Sequence, residues 1–355
     1  MGKLIEIITE HVIPFKTFIE GLKDILNDVN FEIIQDSEML NINTDTANEN
    51  KKKKSKVVVS DSESDSDSED DEVDDSDEDE DNDEEDKNKN KNENAININT
   101  INKKQKDFSG IKITTLDSAK TIFIDVKLDS KQFSKFVCKK KNIDLGINLV
   151  QFHKLIKSLD KDDILSMYIN EDDRQNLIIK VSNPEKKYET TFKLKLMEIN
   201  KKRYDFPDSK FEAAITFETG EFHRICREMS HIAEYIEIKC TRKTITYSCK
   251  GDCSERSTTF YTADDTGVKI RFTKNSPEII QGIFELRNLI LFSKYSNLCG
   301  DIQIFMNNNY PLCINYTIAT LGRMYFCLSP IREDNIRENY EDEDEDYDEE
   351  EVVYK

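Results

Sequence analysis

Tryptophan is absent from the 355 residues, histidine occurs four times, proline six times and glycine ten times. The few glycines form neither a G-x-x-x-x-G-K-[ST] loop to cradle phosphates nor a G-x-S-x-G nucleophile elbow, so the sequence offers no catalytic constellation of those kinds. The closest cysteine pair, Cys249 and Cys253, has no second pair and few histidines to complete a zinc site. No metal, no cofactor and no enzymatic activity are therefore expected. No apolar run reaches the length of a membrane span and no apolar leader opens the sequence, so an intracellular, soluble protein without membrane contact is expected. Eight irregularly spaced cysteines predict free thiols in a reducing compartment.

What is abundant is acid, and it is concentrated. The formal net charge is −21. Residues 37–107 carry 24 acidic against 11 basic side chains and residues 338–355 carry 11 against one, so the remainder is close to neutral. These tracts, with KKKKSK at Lys51–Lys56, the SDSESDSDSED run and KNKNKN, have too little apolar content to offset the entropy of ordering. They are read as a disordered charged insertion at 37–107 and an acidic disordered tail at 333–355. Adjacent carboxylates in such a run are solvated charge, not a metal or nuclease site. Strand-like GIKITTLD (Gly110–Asp117) resumes the hairpin begun at Asn30–Ile34, and lengthening that loop from about four to about seventy residues costs roughly 2.5 kcal/mol.

Elsewhere, hydrophobic periodicity alternates between strand and helix. Strands are expected at 4–8 and 30–34 around a helix at Pro14–Leu26, with Pro14 in its first turn. Strands at 110–117, 121–128 and 132–139 precede a helix at Leu149–Leu159, followed by strands at 164–169, 176–181 and 188–197. Residues 198–210 are polar and lack periodicity, as in a connector. The second half repeats the order: a strand at 211–217, a helix from Glu221, strands at 235–239, 244–249, 257–262 and 267–272, a helix at 284–295, and strands at 301–306, 312–319 and 323–328. FKTFIEGLKDILNDVNFEI (Phe15–Ile33) lies over FHRICREMSHIAEYIEI (Phe222–Ile238), and LVQFHKLIK (Leu149–Lys157) over LRNLILFSK (Leu286–Lys294). The four helices bury apolar stripes and carry bases on the other face: Lys16 and Lys23; Lys154 and Lys157; Arg224, Arg227 and His231; Arg287 and Lys294. One such helix is an ordinary solvated face. Four point to a shared surface turned toward phosphate, with few enough bases that contact is weak and blind to sequence.

Outside the insertion and tail, the chain resembles the eukaryotic-type DNA sliding clamp family, proliferating cell nuclear antigen. The residues that carry the resemblance are FIEGLKDIL (Phe18–Leu26), LGINLVQFHKLIK (Leu145–Lys157), TGEFHRICREMSHI (Thr219–Ile232), LRNLILFSK (Leu286–Lys294), PLCINYTIATLGRMYFCLSP (Pro311–Pro330) and the acidic C-terminus. The resemblance implies an α+β fold of two similar clamp domains, each of two βαβββ units, at 1–197 and 211–332. Three subunits close a ring with helices inside and sheets outside. Double-stranded DNA would face the helix bases and the basic stretch Lys139, Lys140 and Lys141. Thr17 stands where relatives often carry a second lysine, and Arg242 falls near the lysine that relatives use for ubiquitin attachment, which is not carried over.

The family's interdomain loop corresponds to 198–210. Its partner-peptide groove maps to Leu116, Phe123, Tyr204, Phe206, Pro207, Pro311, Leu328 and Pro330. Edge strands 188–197 and 257–262 would pair across subunits. The expected function is a processivity clamp that tethers DNA polymerase and other replication and repair enzymes carrying short aromatic-anchored motifs. A clamp loader is implied, and the place of action would be the nucleus or a viral or cytoplasmic replication compartment. A subunit of a checkpoint-like heterotrimer, or an acidic histone-binding or DNA-mimicking protein, are the alternatives.

Overall fold

A computed structural model describes residues 2–35, 108–200, 204, 211–262 and 268–331. The expected disordered insertion and acidic tail, and Phe206 and Pro207, lie outside the described residues. The elements fall into four βαβββ units. The first is β1 (Lys3–Thr9), α1 (Val12–Leu22), β2 (Asp28–Ile34), β3 (Gly110–Leu116) and β4 (Ile122–Asp129), followed by a short 3₁₀ turn at Ser130–Gln132 and the brief strand β5 (Lys135–Cys138). The second is β6 (Asn142–Asn148), α2 (Leu149–Ile156), β7 (Ile164–Asn170), β8 (Asn176–Asn183) and β9 (Tyr188–Lys195). The third is β10 (Ala213–Glu218), α3 (Thr219–Met229), β11 (Tyr235–Cys240), β12 (Thr244–Lys250) and β13 (Glu255–Tyr261), followed by the short β14 (Lys269–Phe272). The fourth is β15 (Ile280–Glu285), α4 (Leu286–Ser293), β16 (Asp301–Met306), β17 (Leu312–Ile318) and β18 (Gly322–Leu328).

In each domain the two units exchange their leading strands. Strand β1 pairs with β7 of the second unit, while β6 pairs with β2 of the first. Likewise β10 pairs with β16, and β15 with β11. Three antiparallel sheets result, ordered β5-β1-β7-β8-β9, β13-β12-β11-β15 and β14-β10-β16-β17-β18-β4-β3-β2-β6. The nine-stranded sheet joins the two domains through β4 and β18, paired from Ile122↔Leu328 to Leu128↔Gly322. Neither unit of a domain can complete a sheet alone, so the units fold as interlocked pairs.

The internal duplication holds in register. Helices α1 and α3 both run 11 residues, with Phe15 and Phe222 each three positions from the start, and both end on the aligned pair Lys23 and Ser230 as C-caps. Helices α2 and α4 both run eight residues and end on Lys157 and Lys294. Their apolar stripes, including Phe15, Phe18, Ile19 and Leu22 on α1 and Phe222, Ile225, Cys226 and Met229 on α3, are buried against the sheets. At about 1.5–3 kcal/mol per buried large side chain, this packing fixes which face of each helix stays outside.

Several boundaries differ from expectation. Helix α1 starts two residues before Pro14 and stops at Leu22, after which turn hydrogen bonds carry the chain to the buried Leu26. The expected strand at 132–139 is a 3₁₀ turn plus β5. Strands β6 and β15 were not anticipated, because Gly146 and Gly282 interrupt their apolar alternation and each runs directly into a helix. Nor are all thiols free: Cys313 on β17 stands directly opposite Cys327 on β18 and is joined to it by a disulfide. The other six cysteines are free, Cys249 buried and Cys253 exposed among them.

Candidate DNA-facing helices and partner surface

The four helices form one row, α2–α1–α4–α3. Helix α1 packs on α2, and α3 on α4. Gly21 of α1 meets the ring of Tyr295, just past α4, so closely that any Cβ there would overlap the ring. The expected DNA-facing bases lie on these helices and their C-caps, except His231, in the turn after α3, and Lys139, Lys140 and Lys141, in the exposed turn between β5 and β6.

Their environments divide them. Lys16 donates through Nζ to the backbone carbonyls of Lys157 (3.2 Å) and Leu159 (2.8 Å), satisfying the end of α2. Lys23, Lys157 and Lys294 are the C-cap residues of their helices, where the helix dipole favours a cation by about 0.3–1 kcal/mol. Asp24 accepts from Lys23 at 2.7 Å and from Lys294 at 2.5 Å. Burial alone would raise the pKa of Asp24, but hydrogen bonds from these two ammoniums hold it below the usual carboxylate value. Arg224 is gripped by Glu221 at 2.6 Å and Glu228 at 3.1 Å, and Glu228 also holds Arg256 of β13 at 2.6 Å. Arg287 pairs with Glu285 at 2.7 Å, and Lys139 with Glu171 at 2.6 Å.

Lys154, Lys157 and Arg227 are exposed, and their side chains form no ion pair or hydrogen bond with a described residue. His231 lies beyond the helix, past the C-cap Ser230, and lines with Arg287, Glu234 and Asp252 an open cleft of about 770 Å³. His153 on α2 and His223 on α3 have lowered pKa values, through burial first, then the nearby cations Lys23 and Lys157 for His153 and Arg227 for His223. Both are neutral at pH 7.

On the outer face of the nine-stranded sheet, away from the helices, a second apolar cluster forms. Phe123, Phe211, Phe305, Cys313, Tyr325 and Cys327 are its buried members, with Leu116, Tyr204 and Ala214 packed against them. Of the expected groove residues, Leu116, Phe123 and Tyr204 thus come together, and Pro311 and Pro330 are half-buried at the ends of β17 and β18. Leu328 does not join them. The two-residue period of β18 puts Tyr325 and Cys327 on the outer face and turns Leu328 into the main core. The cluster members beyond Phe123 were missed from sequence, although the alternation of β17 and β18 carried the signal.

Sheet edges form the third feature. Strands β5 and β14 are four residues long, β6 is partly covered at Gly146 by Met197, and β15 at Ile283 by Ile331. That leaves β9, eight residues, and β13, seven residues, as the long open edges among the described strands. Tyr188 and Tyr261 are exposed at them. Among the described residues, no group of three or more His, Cys, Asp or Glu is placed to hold a metal ion, and no helix is long and apolar enough to cross a membrane.

Comparison with known proteins places this architecture. The family model of the C-terminal domain of proliferating cell nuclear antigen matches residues 205–331, and that of the N-terminal domain residues 93–203. A probable DNA polymerase sliding clamp of Acanthamoeba polyphaga mimivirus is 33% identical over 235 residues, 65% of this chain and 49% of that protein, so the chain spans about half of that relative. Probable DNA polymerase sliding clamp 1 of Paramecium bursaria Chlorella virus 1 is 30% identical over 228 residues, 63% of this chain and 85% of that protein. In fold, the chain matches the crystal structure of proliferating cellular nuclear antigen from Entamoeba histolytica with a TM-score of 0.66 at 19% identity, covering 93% of this chain and 100% of that one.

Proposed function

The chain belongs to the proliferating cell nuclear antigen family of DNA sliding clamps, and from that premise we propose that three copies close a ring around duplex DNA. The ring slides without catalysis and tethers DNA polymerase and other replication and repair proteins at the replication site inside the cell. The observation that carries the reading is the single helix row, on which Lys154, Lys157 and Arg227 stand exposed while other bases are held by neighbouring carboxylates or carbonyls. Such a surface can touch phosphates but grips few of them. That suits a protein retained by topology and able to move along DNA. The open edges β9 and β13 supply two different surfaces on each copy, as a head-to-tail closed ring requires. The apolar cluster around Leu116, Phe123 and Tyr204 is the surface on which partners with an aromatic anchor would dock.

Sedimentation of the lone chain at moderate salt tests assembly, and a trimer is expected. Loading onto nicked circular DNA by a clamp loader, followed by linearisation, tests topology: release on linearisation is expected. A lone chain that stays monomeric or dimeric overturns the homotrimer and favours a heteromeric ring. Retention that survives linearisation overturns topological holding altogether.

A further inference from the structure

Cys313 and Cys327 stand in the middle of the apolar row that floors the candidate partner surface. Across the outer face of the nine-stranded sheet, Leu116 on β3 stands opposite Phe123 on β4, and Phe123 opposite Cys327 on β18. Cys327 stands opposite Cys313 on β17, Cys313 opposite Phe305 on β16, and Phe305 opposite Ala214 on β10. Adjacent strands lie about 4.8 Å apart, so the disulfide has roughly 10 Å of apolar row on either side of it. Both cysteines are buried, whereas Leu116, Tyr204 and Ala214, which pack on the cluster, are only partly so.

The free cysteines offer no comparable chemistry at this surface. Cys138, Cys226, Cys240 and Cys249 are buried thiols whose pKa values burial raises, which keeps them protonated and unreactive at neutral pH. Cys253 and Cys299 lie outside the cluster. The linked pair is thus the redox-active group that shares a face with the candidate docking residues. Joined, the two cysteines tie β17 to β18 and give the row one fixed floor, preorganised for whatever rests on it. Reduced, they are two thiols that must separate to van der Waals contact in a row closed by Phe123 on one side and Phe305 on the other. A close-packed cluster passes that excess volume on to the two rings.

We propose that the Cys313–Cys327 pair is a redox switch on the partner groove: linked, it holds the floor that an aromatic anchor fits, and reduced, it loosens that floor and weakens docking. The proposal rests on the groove reading above and adds a regulation to it. The step is thiol–disulfide exchange with a thiol of the glutathione class. The thiolate attacks one sulfur, the other cysteine leaves as a thiolate and takes up a proton, and a second thiol resolves the mixed disulfide. Two electrons and two protons thereby reach the cysteines, and the reductant leaves as its own disulfide. An anchor resting against Leu116, Phe123 and Tyr204 would also shield the sulfurs beneath, so docking and reduction oppose each other.

The test uses the full chain in glutathione buffers running from fully oxidised to fully reduced. Anisotropy of a labelled, cysteine-free peptide with one aromatic anchor reads affinity, and alkylation after acid quench reads the fraction linked. The linked chain should bind about tenfold more tightly than the reduced chain. By reciprocity, saturating peptide should raise about tenfold the ratio of squared glutathione to glutathione disulfide that opens half the links. Cys313→Ala with Cys327→Ala should show one affinity in every buffer while sedimenting as the parent does. A redox response that persists in that variant belongs to another thiol and overturns the switch. Equal or tighter binding by the reduced parent overturns the switch and leaves the groove standing. Failure of the peptide to bind either form overturns the groove and the switch with it, and a chain that carries no link in the oxidised buffer overturns the pair itself.

Discussion

Replacing Lys154 and Lys157 by alanine should flatten the salt dependence of DNA binding, whereas replacing Lys23 should hardly change it. The reasoning is geometric. Lys154 and Lys157 present exposed ammoniums with no partner among the described residues, so a phosphate can take them at once. Lys23 is already held by Asp24 at 2.7 Å, which also holds Lys294. A base that must abandon a carboxylate to meet a phosphate releases little net counterion. Each phosphate contact contributes about 0.9 to the slope of log K against log salt, so losing two contacts removes roughly 1.8, and between 50 and 200 mM salt that changes the relative affinity by about tenfold. Anisotropy of a short linear duplex across that range reads the slope directly and is blind to topological retention. Sedimentation of each variant checks that assembly is intact. If Lys23→Ala lowers the slope as much as either Lys154→Ala or Lys157→Ala, the division of the row into held and free cations is wrong.

The same logic predicts that Arg227→Ala lowers the slope by about 0.9, while Arg224→Ala leaves it nearly unchanged and weakens binding only through the released Glu221, since Glu228 keeps Arg256; equal slopes in the two variants would refute the pairing seen around Arg224. Lowering the pH from about 7 toward about 5 should tighten DNA binding as His153 and His223, whose pKa values lie below the ordinary imidazole value, acquire charge. Because their folded-state pKa values are depressed, the unfolded chain takes up those protons first, so stability should fall over the same range; a midpoint of denaturation flat from pH 7 to 5 in the His153→Gln, His223→Gln variant but sloping in the parent would support this, and identical slopes would contradict it. Gly21→Ala should cost about 1–3 kcal/mol, since the new methyl meets a ring that is fully buried; an unchanged urea midpoint would show that Tyr295 can move aside. Alkylation under denaturing conditions without reductant should label six thiols and leave Cys313 linked to Cys327, and reduction should lower stability by about 3 kcal/mol for a loop of this length; eight labelled thiols would refute the link.

The repeat was legible because helix periodicity is local. Phe15 over Phe222 and Leu149 over Leu286 were placed from spacing alone, and the helices start and stop in that register. Strands β6 and β15 were hidden for a reason that bears on the architecture. Each leads its unit and pairs with a strand of the other unit, so tertiary exchange stabilises it against a glycine that weakens its local pattern. The site divides similarly. Glu221, Arg224 and Glu228 stand three and four residues apart on one helix, so their pairing was readable in advance. The bonds from Lys294 to Asp24, 270 residues away, and from Lys16 to Leu159 depend on the helix row and were not. Leu328 shows the reverse error: family likeness put it in the groove, and strand alternation turns it into the core.

These details change what the basic residues of the helix row mean. A count of Lys and Arg along the four helices overstates the grip, because the fold spends several of them on itself: Lys16 on the end of α2, Lys23 and Lys294 on Asp24, Arg224 on two glutamates, Arg287 on Glu285. Internal pairing of this kind holds the helices to one another and to β13 through Arg256, at the expense of charge available to DNA. For a protein that binds DNA by affinity, that would be a poor distribution. For the closed ring proposed above it is coherent, since escape would be prevented by continuous chains and paired edges, and every additional free cation would only raise friction against sliding. The demand on the chain is then rigidity across the domain boundary. The continuous β4–β18 pairing and the Gly21–Tyr295 contact meet it where the two repeats join.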